Sequence, residues 1–95
     1  MEEQQRKQQE ALVDAIMQGN VGHVSALLDA GASPQLALDS ANVTPLHFAA
    51  QGEDVRIVKV LLKRGASKQA KTYPDGQTPR DIALMHAHHD MLSML

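Results

Sequence analysis

The stretch Thr44-Pro45-Leu46-His47-Phe48-Ala49-Ala50 decides the fold, because the chain repeats it. A second, altered copy reads Thr78-Pro79-Arg80-Asp81-Ile82-Ala83-Leu84, with the two threonines 34 residues apart. The same offset carries Val24-Ser25-Ala26-Leu27-Leu28 onto Val58-Lys59-Val60-Leu61-Leu62, and Gly31-Ala32-Ser33 onto Gly65-Ala66-Ser67. Three blocks that keep one period are the mark of an array of like units, each burying its apolar face against its neighbours.

Each block has a local meaning. Thr44 suits a helix N-cap and Pro45 the first helical position, where no N–H is needed. Leu46, Ala49 and Ala50 fall on one side of that helix, and the small alanine pair allows a close helix–helix approach. Asp54 then caps a second helix whose Ile57, Val58, Leu61 and Leu62 form a broad apolar stripe. Gly65 ends it, as Gly31 ends the corresponding helix before it. Working backwards by one period gives a degenerate first copy without Thr-Pro, in which Ala15-Ile16 stand for Ala49-Ala50 and Asn20 caps the second helix. Working forwards, His88 falls in the cap position, and Met91, Leu92 and Leu95 replace Ile57, Val58 and Leu61 in a final helix about a turn short. The connections carry Asn42 and Gly76 one period apart, both suited to a positive φ. The units are therefore expected at about 10–43, 44–77 and, in part, 78–95, as one domain. Residues 1–9 are expected as a polar helical extension that runs into solvent, since Glu2 to Glu10 offer good helix formers and no apolar stripe.

Bulk properties agree with an all-helical repeat solenoid. Of 95 residues 43% are apolar, yet there is one Phe, one Tyr and no Trp, so Ala, Leu, Val and Met must build the core. No cysteine is present, which removes disulfides and thiolate metal sites. No apolar run approaches the roughly 20 residues that cross a bilayer. Met1 to Lys7 is too polar for a secretory signal, and an intracellular location, cytoplasmic or nuclear, is the expectation. The net charge of −2 gives no long-range pull towards nucleic acid.

These residues resemble the ankyrin-repeat family. Thr44-Pro45-Leu46-His47-x-Ala49-Ala50 fits that family's signature, Ile57-Val58-Lys59-x-Leu61-Leu62-x-x-Gly65-Ala66 its second helix and stop, and Asp75-Gly76-Gln77-Thr78-Pro79 the turn feeding the next unit. The resemblance implies a curved stack of antiparallel helix pairs joined by β-turn fingers, acting as a protein-binding scaffold, adaptor or regulatory subunit rather than an enzyme. The units here are one residue longer than the family's usual length of about 33. Ser33 and Ser67 replace its usual acid, and Asp81 replaces its histidine in the last copy.

No catalytic constellation, cofactor motif or metal site emerges. His47 in the repeat motif is read as a tie between neighbouring units. His86, His88, His89 and Asp90 are the most metal-like cluster, but the repeat places a loop there, so convergence on one ion is not expected. Function is then expected where the copies differ: a concave surface formed by Asp14, Met17, Phe48, Gln51, Ile82 and Met85, with the finger tips that hold Leu38, Asp39, Tyr73 and Asp75. Phe48 and Tyr73 are the favoured anchors, being the aromatics the repeat does not need. Met17 and Met85 share a phase with Gln51, while the other methionines are read as core fillers. Two alternatives stand beside this one. An apolar C-terminus, Met91 to Leu95, suggests self-assembly, and the acid-free run Arg56, Lys59, Lys63, Arg64, Lys68, Lys71 suggests docking to an acidic partner or nucleic acid. Base stacking is not expected, because no aromatics interleave with the cations.

Overall fold

A computed structural model describes residues 2–95. Met1, the first residue of the extension read from the sequence, lies outside them. Five α-helices follow in order: α1 Glu3–Met17, α2 Val21–Asp29, α3 Pro45–Gln51, α4 Val55–Lys63 and α5 Pro79–Met85. A 3₁₀ helix, His89–Met94, follows them, and there is no strand among the described residues. Within each unit the first helix packs on the second: α1 on α2, α3 on α4, α5 on the 3₁₀ helix. Between units like packs on like, giving an inner row of α1, α3 and α5 and an outer row of α2, α4 and the 3₁₀ helix.

The period fixes what is buried. Ala15, Ala49 and Ala83 stand in one phase and are at most 3% exposed, so the inner helices meet across methyl groups. Leu12, Leu46, Val24, Val58, Ile57, Leu61 and Met91 fill the space between the two rows. Asn20 Oδ1 accepts the His23 N–H at 3.1 Å, and Asp54 Oδ1 accepts the Arg56 N–H at 2.9 Å, which starts α2 and α4. At the head of α5 the capping is reciprocal. Thr78 Oγ1 accepts the Asp81 N–H at 3.2 Å, and Asp81 Oδ2 accepts the Thr78 N–H at 3.0 Å. Asp81 thus does at α5 what histidine does at α3.

The fingers lie side by side. The Tyr73 N–H donates to the Ala41 carbonyl at 2.9 Å, and the Asn42 amide donates to the Lys71 carbonyl at 2.9 Å. Asn42 and Gly76 have φ of 54° and 65°, the left-handed values their shared phase predicts. Ala87, two periods after Gly19, is left-handed as well, with φ 57°.

Two expectations need correction. The polar first segment does not simply run into solvent. Glu3, Gln4, Arg6 and Lys7 are exposed along the start of α1, but Gln9 is fully buried. Its Nε2 donates to the carbonyls of Ser33 at 3.1 Å and Leu36 at 2.9 Å, while its Oε1 accepts the Ser33 N–H. Gln8 reaches the Ala30 carbonyl at 2.9 Å. The helix can bury this one polar side chain because the first finger brings it backbone partners. The C-terminal segment is likewise not a partial α-helix. Its turns close from residue i to i+3, with the Met91 N–H on the His88 carbonyl and the Leu95 N–H on the Leu92 carbonyl. Arg80 Nη1 donates to the Leu92 carbonyl at 2.7 Å. Met91 is fully buried, and Leu92, Met94 and Leu95 are half-buried against the same core. The apolar side chains that prompted the self-assembly reading are thus engaged by the chain's own packing.

Candidate functional site

His47 illustrates how the repeat uses polar side chains. A backbone N–H only donates and a carbonyl only accepts, so the contacts assign its tautomer. Nδ1 accepts the Thr44 N–H at 3.1 Å and lies 2.8 Å from the Thr44 hydroxyl, and Nε2 must carry the proton it gives to the Gln77 carbonyl at 2.8 Å. The ring is 1% exposed and both nitrogens are occupied. It joins the second unit to the next finger and is not available as a base. Gln35 makes a comparable tie, donating to the Gly65 carbonyl at 2.6 Å.

The histidines near the C-terminus form a different arrangement. The rings of His86 and His88 stack with centroids 5.9 Å apart and planes 13° from parallel. His88 Nε2 lies 3.1 Å from the Gln51 carbonyl, to which it donates. Among the described residues no group of three or more His, Asp or Glu side chains converges as a metal site would require.

The open surface lies at the C-terminal ends of α1 and α3. A cleft of about 170 Å³ between them is lined by Ile16, Met17, Phe48, Gln51 and Gly52. A second hollow of about 270 Å³ adjoins it, sharing Ile16, Met17 and Gly52 and continuing past Ala49 and Ile57 to Glu53 and Asp54. Met17 stands between the two hollows and is 70% exposed. Phe48 is half-buried, with part of its ring on the core and part on the cleft. One end of the paired hollows is acidic. Asp54 is held in its charged form by hydrogen bonds from the Arg56 guanidinium at 2.7 and 3.0 Å, which lower its pKa below the usual carboxylate range.

The residues singled out from the sequence divide into three groups. Met17, Phe48 and Gln51 share the cleft. Asp14, Met85, Tyr73 and Asp75 are exposed and Ile82 half-buried, on the inner row and second finger but outside the cleft lining. Met85 Sδ receives the Gln77 amide at 3.0 Å. Leu38 is half-buried, and exposed Asp39 is occupied in shaping its own turn, accepting the Ala41 N–H at 3.0 Å through its carboxylate and the Asn42 N–H through its carbonyl. Sequence reasoning passed over Ile16, Gly52, Glu53 and Asp54 as lining residues. Ile16 carried a usable signal: it stands in the phase of Ala50 with a larger side chain. Leu84 stands in that phase too and is 48% exposed.

No helix of the described residues is long and apolar enough to cross a membrane. Comparison with known proteins finds related stretches in proteins of quite different description. A 2-5A-dependent ribonuclease of Mus musculus is 38% identical over 73 residues, covering 77% of this chain and 10% of the relative. Oxysterol-binding protein-related protein 1 of Rattus norvegicus is 40% identical over 81 residues, 84% of this chain and 8% of the relative. A probable E3 ubiquitin-protein ligase, XBOS33, of Oryza sativa subsp. japonica is 37% identical over 89 residues, 90% of this chain and 16% of the relative. The chain thus spans a tenth or less of the first two, and their named activities differ while the shared segment is the repeat. The family description "Ankyrin repeats (3 copies)" matches residues 12–95. Ankyrin repeats are in general non-catalytic modules of protein–protein interaction. With the paired rows of helices, the linked fingers and this match over most of its length, the chain belongs to the ankyrin-repeat family.

Proposed function

We propose that this chain is a non-catalytic scaffold, adaptor or regulatory module that holds a partner protein on its inner face. One observation carries the reading: Met17 stands largely exposed beside a half-buried Phe48, over a cleft that the repeat's own packing leaves open. Exposed apolar side chains around a concavity are the surface a partner's apolar side chain fills. Methionine suits it, being flexible and polarisable enough to mould to its occupant. Gln51 adds hydrogen bonding at the rim, and the exposed Tyr73 and Asp75 extend the contact to the second finger. Asp14, Leu38, Asp39, Ile82 and Met85 complete the surface in this reading.

The test is retention of a partner from native lysate by the immobilised chain. Met17→Glu and Gln51→Glu change exposed side chains and so preserve the fold, which circular dichroism verifies. The reading expects both to lose a protein that the unaltered chain and Ala26→Glu, on the exposed face of α2, retain. Equal retention by all four would remove the inner face from consideration.

A further inference from the structure

Charge in this molecule is segregated to a degree its net value of −2 hides. Six of its nine Lys and Arg lie between Arg56 and Lys71, a stretch without an acid, leaving three cations among all eleven Asp and Glu elsewhere. The structure gathers half of the basic group on one surface. Arg56, Lys59 and Lys63 all lie exposed on α4, on the face directly away from the buried Ile57, Val58 and Leu61. Lys68 is exposed in the loop that follows.

The fold does not ask for these cations. One period earlier the α4 positions hold Gly22, Ser25 and Asp29, and one period later the first two hold Asp90 and Ser93, on helices with the same place in the stack. Lys68 likewise stands where Pro34 stood. Nor do the cations serve one another, since like charges one helical turn apart are mutually unfavourable. Ion pairing exists nearby but does not absorb the group: Arg56 pairs with Asp54 and Arg64 with Asp29. Lys59, Lys63 and Lys68 have no ion pair among the described residues. Lys71 is set apart in the finger, where its field falls on Asp81. The helix dipole accounts for Lys63 in the last turn of α4, but not for Lys59 at mid-helix.

We propose that the outer face of α4 is a second docking surface, for a short acidic peptide segment of a partner protein. The site rests on charge complementarity and is independent of the inner-face reading. Lys59 and Lys63, the unpaired cations of α4, stand about 6 Å apart along the helix at ~1.5 Å per residue, a reach that matches neighbouring carboxylates of one peptide. A duplex nucleic acid fits less well. It extends its charge far beyond one helix, and the rest of this chain, with eleven acids against three cations, would repel it. No aromatic side chain lies on the exposed face of α4 to stack a base.

The experiment is fluorescence anisotropy with a labelled glutamate-rich peptide, on the full chain and two double variants. Lys59→Gln/Lys63→Gln and Arg6→Gln/Lys7→Gln remove the same net charge from exposed positions, the first from α4 and the second from α1. The expected result is about tenfold weaker binding by the α4 variant, and a change within about twofold for the α1 variant, at low salt. Raising salt from about 50 to about 200 mM should weaken the unaltered chain more than the α4 variant. Equal loss in the two variants, or no binding by the unaltered chain, overturns the proposal. So does tighter binding of a duplex DNA of matched charge, which would assign the surface to nucleic acid.

Discussion

Replacing Gln9 with alanine should be among the most damaging single changes to a polar residue in this chain. Gln9 is fully buried and joins α1 to the first finger by three hydrogen bonds, two donated to the carbonyls of Ser33 and Leu36 and one accepted from the Ser33 N–H. Each is worth about 0.5 to 1.5 kcal/mol net, so their joint loss costs about 3 kcal/mol. A domain of this size has a stability of about 5 to 15 kcal/mol, of which this is a large part. At roughly 4 to 8 °C per kcal/mol the melting temperature should fall by about 12 to 24 °C, read by far-ultraviolet circular dichroism. Two variants make the result specific. Gln8→Ala removes one exposed bond, to the Ala30 carbonyl, and should cost about 0.5 kcal/mol. Gln9→Glu keeps the acceptor for Ser33 but loses both donors and brings a charge to a buried position, so it should be worse than alanine near neutral pH. If Gln9→Ala melts within about 2 °C of the unaltered chain, or no lower than Gln8→Ala, the first finger is not held by this amide and the reasoning fails.

Two other perturbations follow from the same packing and capping. Ala87→Gly should raise stability by about 0.5 to 1 kcal/mol, because an alanine at φ 57° pays a steric penalty that glycine escapes, less glycine's greater chain entropy; chemical denaturation that shows a loss instead would mean the left-handed turn is not retained. The folded carboxyls of Asp81 and Asp54 are held below their ordinary pKa, the first mainly by the Thr78 N–H and then its hydroxyl, the second mainly by the Arg56 guanidinium. Their stabilisation is therefore present above the unfolded carboxylate range near pH 4 and is lost as pH falls through the lowered folded values. Melting temperatures taken from pH 7 down to 3 should show that acid-side fall flatten in an Asp54→Asn/Asp81→Asn double variant, whereas an unchanged slope would mean that other groups control it.

The parts of this fold that sequence revealed are those with local causes. Thr44-Pro45 and Thr78-Pro79 mark helix starts because capping and the missing proline N–H act within one turn. The alanines at 15, 49 and 83 announce close helix contacts through their phase alone. Asn42 and Gly76 are legible for the same reason, since a positive φ selects a few residue types. What stayed hidden depends on partners far along the chain. Gln9 reads as one more solvated glutamine until the carbonyls of Ser33 and Leu36, 24 and 27 residues away, are brought beside it. Arg80 stands in the phase of the buried Leu46 yet reaches the Leu92 carbonyl, and that contact accompanies a 3₁₀ rather than an α-helical turn. The cleft was half visible. Met17, Phe48 and Gln51 stand at positions the repeat leaves free, whereas Gly52 and Glu53 carry no signal of their own and line a hollow only through the packing of α3 beside α1.

Contact mapping shows directly whether a partner sits on the inner face. A photo-crosslinking side chain placed at Gln51, at Tyr73 or at Ala26, each in an otherwise unaltered chain, reports which surface a bound partner touches. Illumination in native lysate should join one and the same protein to the probes at Gln51 and Tyr73, and that protein should not be joined at Ala26. A partner joined at Ala26 and at neither of the other two positions would contradict the inner-face reading.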